Sequence, residues 1–281
     1  MRKCDRLPLI AALCGILGFF LRRWQYSSAY LPEEQLFRRG SPVTPVLLVF
    51  GAALAVALVF LVRDAGRPGD FLSAFRCPLP LHMAVMAASA FLLMGGGLLT
   101  IRDGASALAL WRIAGGDFHL PLFQLVQGIL SIPAGLALLL MGRAAYRKDL
   151  TRPVFALAPL LGFSGLVWLL TVHLTHGIDP EILRFAPGLL AAALLTLAHY
   201  FAVSFLFGRC RPRSFAYCAL LGAALGITSL ADIPSPGDAA LTAAFSLSAL
   251  AEVRALLYNA SGAPWPEDLS AGAEEDPGET D

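Results

Sequence analysis

Charge is what this sequence lacks. Asp, Glu, Lys and Arg together make up 15% of the 281 residues, whereas a water-soluble domain carries roughly 25% to cover its surface. Much of the folded surface must therefore face something other than water, and lipid is the simplest partner. The net charge is +1, so no basic excess exists to neutralise phosphates, and nucleic acid is not expected as a partner. Lysine is scarce as well, with only Lys3 and Lys148 against 19 arginines. That ratio suggests a GC-rich bacterial gene and hence a bacterial cytoplasmic membrane. The five cysteines form no CxxC pair, so neither a thiolate zinc site nor a disulfide framework is expected, and no cofactor is called for.

What the sequence has instead is long uncharged runs. A hydrocarbon core of roughly 30 Å takes about 20 apolar residues to cross as a helix. Residues 7–21, 43–62, 81–101, 120–141, 153–173, 185–207, 215–231 and 238–257 meet or approach that length. The expected fold is all-α, a polytopic transmembrane bundle of about eight helices occupying residues 1–258. The first and seventh runs are short for a crossing, and seven helices remain if one of them lies in the interface. Arg2, Lys3 and Arg6 ahead of the first run resemble the start of a signal peptide. Arg22, Arg23 and Trp24, however, stand where small residues would mark cleavage, so a retained helix is expected.

Arginine and lysine collect in cytoplasmic loops. With the amino terminus inside, fourteen of them fall in inner segments and seven in outer ones. Both termini are therefore expected to be cytoplasmic, although Arg22, Arg23, Arg38 and Arg39 in the first outer loop dissent. In this threading Cys4, Cys77 and Cys210 are internal, and Cys14 and Cys218 lie within helices. Residues 259–281 hold seven acids and no base, too polar to bury a core, so an acidic disordered cytoplasmic tail is expected. The Asn259-Ala260-Ser261 sequon then lies inside, away from glycosylation. In the first outer loop, residues 26–31 and 36–39 flank Pro32-Glu33-Glu34, which predicts a short hairpin on the membrane surface. Residues 105–113, with Trp111, predict a brief interfacial helix.

Function in a membrane protein usually sits on intramembrane polar groups. No run has a charged residue near its centre; Glu252 and Arg254 lie toward the inner end of the last one. Proton- and sodium-coupled transport, which generally needs a midplane carboxylate, is therefore not expected. Gln124, Gln127 and Ser131 share one face of the fourth helix, followed by Pro133, whose missing N–H frees the carbonyl of Ile129. They could line a cavity or form interhelical hydrogen bonds. Gly95-Gly96-Gly97 and the Gly222–Gly226 pair read as close helix contacts, with local unwinding around a ligand as the alternative. His119, His173 and His176, with Asp117, Asp179 and Glu181, gather at the outer face and could hold a metal ion.

Gly162-Phe163-Ser164-Gly165 resembles the G-x-S-G around the nucleophile of rhomboid intramembrane proteases, and Ala198-His199 resembles the start of their Ala-His-x-x-Gly motif. That resemblance implies a Ser164–His199 pair in which the imidazole activates the hydroxyl. The match covers about six residues. Here the two helices are consecutive, Ala202 replaces the motif's glycine, and no His-x-x-x-Asn element is present.

The leading expectation is a non-catalytic protein, either a permease-like carrier of a weakly polar substrate or a membrane subunit that binds another membrane protein. Gln124, Gln127, Ser131, Ser164 and His199 are its candidate binding residues. An intramembrane serine hydrolase and an outer-face metal or ligand sensor are the alternatives.

Overall fold

The computed structural model describes residues 3–31, 36–38, 40–66, 68–115, 118–176, 182–233 and 235–265. Among them are nine α-helices: α1 (Lys3–Ala29), α2 (Val43–Leu61), α3 (Phe71–Phe75), α4 (Pro80–Ala114), α5 (His119–Arg147), α6 (Arg152–His176), α7 (Ile182–Leu206), α8 (Pro212–Ser229) and α9 (Pro236–Ala260). All but α2, α3 and α8 are 25 residues or longer. Seven, all except α3 and α8, are long and apolar enough to cross a membrane. The fold is an all-α transmembrane bundle.

The two runs that looked short have different outcomes. α1 continues through Ala29 and is a full-length span of 27 residues. α8 is 18 residues long, and Cys218 to Ala224 are buried without interruption. Seven consecutive buried residues cover nearly two helical turns, so no side of α8 faces lipid there. It packs against α1, α2, α7 and α9, and a helix enclosed by protein needs no continuous apolar exterior. Proline at the first turn of α4, α8 and α9 sets each start, where a missing N–H costs nothing.

α4 and α5 form a long antiparallel hairpin. The Cβ that a side chain would place at Gly97 lies 2.8 Å from the carbonyl oxygen of Gly128, and the one at Gly128 lies 2.6 Å from that of Gly97. Only paired glycines allow this approach. Gly96 faces α9, where Gly237 O and Ala240 Cβ lie 3.0 and 3.1 Å from the corresponding point. α4 is helical throughout, so the triple glycine packs helices rather than unwinding one. The proposed interfacial helix at 105–113 is not separate; it is the continuation of α4. Nothing there stops the helix until Gly115, at φ 71, and Gly104 lets Gln124 and Leu125 of α5 approach to 3.1–3.2 Å. The 35 residues of α4 extend about 52 Å, well beyond a hydrocarbon core of roughly 30 Å. Trp111 packs on Phe118 at the tip, with ring centroids 5.0 Å apart.

On the opposite face of the bundle, the Asp70 carboxyl caps α3 by accepting from the Ser73 amide, and the Asp70 amide donates to the Ser73 hydroxyl oxygen. Hydrogen bonding from Ser73, first through its side chain and then through its backbone N–H, holds the Asp70 carboxyl below the usual carboxylate range. Asn259 donates to the carbonyls of Ala74 and Arg76, both at 2.9 Å, and accepts from Trp265 Nε1 at 3.0 Å. Trp265 stacks on Tyr258. The expected tail therefore begins later than residue 259: α9 runs through Ala260 and residues 261–265 fold back on it. Residues 266–281, with all seven acids, lie outside the described residues.

The loop between α1 and α2 contains the expected hairpin. Tyr30 pairs with Phe37 and Leu31 with Leu36, and Tyr26, Tyr30 and Phe37 form a ring cluster. Pro32, Glu33, Glu34 and Arg39 lie outside the described residues.

Candidate functional site

Three polar assemblies lie inside the bundle. The first joins α5 to α6. Gln127 Nε2 donates to Ser131 Oγ at 3.2 Å and to Ser164 Oγ at 3.5 Å, and the Ser131 hydroxyl donates to Gln127 O at 2.8 Å. Gln127, Ser131 and Ser164 are fully enclosed, and Gln127 Oε1 meets no hydrogen-bond partner among the described residues. Gln124 lies outside this cluster, with its Cβ against Gly104. α5 remains helical across Pro133.

The second assembly joins α7 to α9. His199 Nδ1 lies 2.8 Å from the carbonyl oxygen of Leu195, which can only accept, so Nδ1 carries the proton. Nε2 then accepts from the Ser248 hydroxyl at 2.9 Å. Phe245 sits edge-on to the imidazole and is stacked by Trp168. Ser164 and His199 therefore do not form the pair implied by the rhomboid resemblance. Gly162 and Gly165 both turn toward α7, where Tyr200 and Thr196 lie within contact, and Thr196 donates to Gly165 O at 2.9 Å. Ser164, two residues after Gly162, is rotated about 200° away by the helical period and meets α5 instead. The G-x-S-G is a helix crossing with a serine on its other side.

The third assembly was not anticipated. Arg22, 1% exposed, donates through Nε to both oxygens of Asp232, at 3.0 and 2.7 Å. Its Nη1 donates to Gln25 Oε1 at 2.6 Å, and Gln25 Nε2 donates to Thr44 Oγ1 at 2.8 Å. The guanidinium also lies 5.0 Å from the Tyr26 ring centre and 5.3 Å from that of Phe37. The end of α1, the start of α2, the hairpin and the residues after α8 are joined in one network.

This network closes one end of a cleft of about 480 Å³ between α2, α7 and α8. α2 packs on α1 and α8, and its wall runs from Thr44 to Ala55 along the cleft, with Pro187, Leu190 and Ala193 of α7 opposite. Apart from Arg22, Gln25, Thr44, Thr228 and Tyr217 the lining is apolar. A smaller cavity of about 160 Å³ with a mixed lining borders Asp232, and Trp168, Thr171, Asp238 and Thr242 also line it. Trp168 Nε1 is buried without a hydrogen-bond partner among the described residues. Gln124, Gln127, Ser131, Ser164 and His199 line neither cavity.

Of the histidines expected at the outer face, His119 and His173 are exposed. The His176 side chain, Asp117, Asp179 and Glu181 lie outside the described residues. Among the described residues no three His, Cys, Asp or Glu side chains are grouped to hold a metal. Glu252 is enclosed, 3% exposed, and its Oε2 has no hydrogen-bond partner among the described residues.

Sequence reasoning singled out none of Arg22, Gln25, Thr44, Asp232 and Ser248 for a site. One signal was available: an arginine seven residues from the end of a long helix is a buried charge needing a partner. No family model, curated protein or solved structure matches the chain.

Proposed function

We propose that the protein is a non-catalytic, permease-like membrane protein that holds a lipophilic molecule in the cleft between α2, α7 and α8. The carrying observation is that cleft: about 480 Å³, apolar along its length and polar at the Arg22 end. Sites for drug-sized ligands share this build, a mostly apolar concavity with a few placed polar groups. Ser164 and His199, by contrast, are engaged in interhelical bonds with Gln127 and Ser248, of the kind that hold bundles together. Both chain ends are assigned to the cytoplasmic side of a bacterial membrane, from the arginine distribution.

Filling the cleft tests this. A Cβ at Gly51 meets nothing within 4 Å, and Gly51 and Ala193 line opposite walls, so Gly51→Phe and Ala193→Phe occupy the space without displacing backbone. A photoreactive alkyl chain should label α2 and α7 of the wild-type protein in bilayer discs and lose that labelling in both variants. Undiminished labelling would refute the assignment. Ser164→Ala is expected to leave any activity unchanged; its loss in that variant would bring hydrolysis back.

A membrane-subunit reading is favoured by one observation. The distal part of α4 exposes Leu110 at 67% and Ile113 at 86%, beyond the length a bilayer requires. Leu110→Glu with Ile113→Glu should release a partner protein bound there while leaving the bundle folded.

A further inference from the structure

We infer that the cleft ligand is a membrane-derived lipophile with an uncharged carbonyl head, held by Thr44 at the end of the cleft opposite the chain termini. The inference rests on the cleft being a binding site and goes on to specify its ligand. The lipid bilayer is the source, because α2 borders the cleft on its outer side and is the least enclosed of the seven apolar spans. Along α2, Thr44 to Ala55 covers about 16 Å at 1.5 Å per residue, so a single hydrocarbon chain lies parallel to that helix.

The head chemistry follows from the order of donors. Arg22 gives its Nε proton to Asp232 and an Nη1 proton to Gln25, and Gln25 gives an amide proton to Thr44. The relay ends on the Thr44 oxygen as acceptor, so the Thr44 hydroxyl proton is what the network presents at the cleft wall. Thr228 also lines the cleft, but its hydroxyl is used on Ala224 O at 2.9 Å. A donor selects an acceptor, such as an ester or ketone oxygen. An ammonium head carries only donors and cannot accept that proton. A free carboxylate would find that guanidinium already matched by Asp232. A neutral carbonyl is left as the fitting head.

Tyr217 is the other polar side chain in the lining. Lying six residues into α8, it marks the opposite end of the cleft, and it serves as the control.

The test uses full-length protein in bilayer discs with the photoreactive alkyl probe, competed by a long-chain methyl ketone or by the alkane of equal length. The ketone should displace the probe at about fivefold lower concentration, the net worth of one neutral hydrogen bond. Thr44→Val should erase that preference and Thr44→Ser restore it. Equal displacement by ketone and alkane in the wild-type protein overturns the head assignment while leaving the cleft intact. So does loss of the preference in Tyr217→Phe rather than in Thr44→Val. Absence of labelling on α2 and α7 would remove the cleft and its head together.

Discussion

The Arg22–Asp232 pair invites a double-mutant cycle. Arg22 is 1% exposed and the Asp232 side chain 13%, so each depends on the other to neutralise a charge held away from water. Removing one partner of such a pair costs about 3–5 kcal/mol, because the remaining charge stays buried. The structure also orders the two losses. Asp232→Leu strands the more deeply buried guanidinium and belongs near the upper end of that range. Arg22→Met strands a carboxylate with some access to water and belongs near the lower end. A buried pair replaced as a whole by apolar side chains is often neutral or stabilising, so the double variant should be no worse than Arg22→Met alone. Equilibrium unfolding in mixed micelles, followed by near-ultraviolet circular dichroism, measures all four corners. Arg22 lines the apolar cleft and Asp232 the smaller cavity, so the double variant should also join the two and admit polar quenchers to the cleft. Additive single losses would refute the coupling, and so would strong weakening by salt, since a buried pair is poorly screened.

The glycines give graded outcomes. Gly95→Ala should be neutral, or stabilise by up to about 1 kcal/mol through helix propensity, because nothing lies within 4 Å of its Cβ position. Gly128→Ala should strongly destabilise, because its Cβ would meet Gly97 O at 2.6 Å and Ile101 Cγ1 at 2.5 Å; equal melting temperatures for the two variants would contradict the packing. Orientation is checked with an impermeant maleimide. Cys210, half-buried in the α7–α8 loop, should react in inverted vesicles but not in intact cells, and slowly, since burial and then the nearby Asp70 charge push its thiol up. Cys77 is buried and is no substitute as a reporter. The Asp70 cap carries a pH signature: its folded-state value lies below the ordinary carboxylate range, set first by the Ser73 bonds. The cap is therefore fully present above that range and is lost as pH falls through the depressed folded value. Protection of the Ser73 amide, taken relative to its intrinsic exchange rate, should fall there and nowhere higher, and Asp70→Asn should remove that pH dependence.

How much of this was legible in the sequence depends on what each helix faces. Helices bordering lipid announce themselves, since hydrocarbon tolerates neither charge nor an open backbone. The run at 43–62 differs from observed α2 by one residue. Helices bordering protein are less constrained and read less well. α8 looked too short because its enclosed surface needs no long apolar run, and α4 was read as ending at Ile101 because Arg102 and Asp103 end the hydrophobic stretch without ending the helix. Ser164 and His199 were each recognisable as buried polar groups. Their partners depend on which way each helix is rotated, and the G-x-S-G pattern does not encode the neighbour beyond the serine. The arginines that dissented from the expected orientation have a partial physical answer. Arg22 lies inside α1 and is matched by Asp232, so it is a structural charge rather than a topological one. The bias it seemed to oppose becomes fourteen against six.

The cleft was the least readable feature, because its sequence signature is the same as that of its opposite. Small residues on facing helices usually mean close approach, and at Gly97 and Gly128 they do. Gly51 and Ala55 on α2 and Ala186 and Ala193 on α7 are small in the same way, yet they border open space. What differs is where α2 is anchored. Its start is tied by Thr44 to the Arg22 network and its Leu58 is buried in the core, while between those points it rests on α1 and α8 rather than on α7. Two fixed ends with an unfilled middle produce a cavity from residues that would otherwise close it, and the relay that fixes the Thr44 end also places a hydroxyl donor at its wall. Small residues therefore indicate where helices can come close, and the distant Arg22–Asp232 pair, 210 residues apart in the chain, helps decide whether they do.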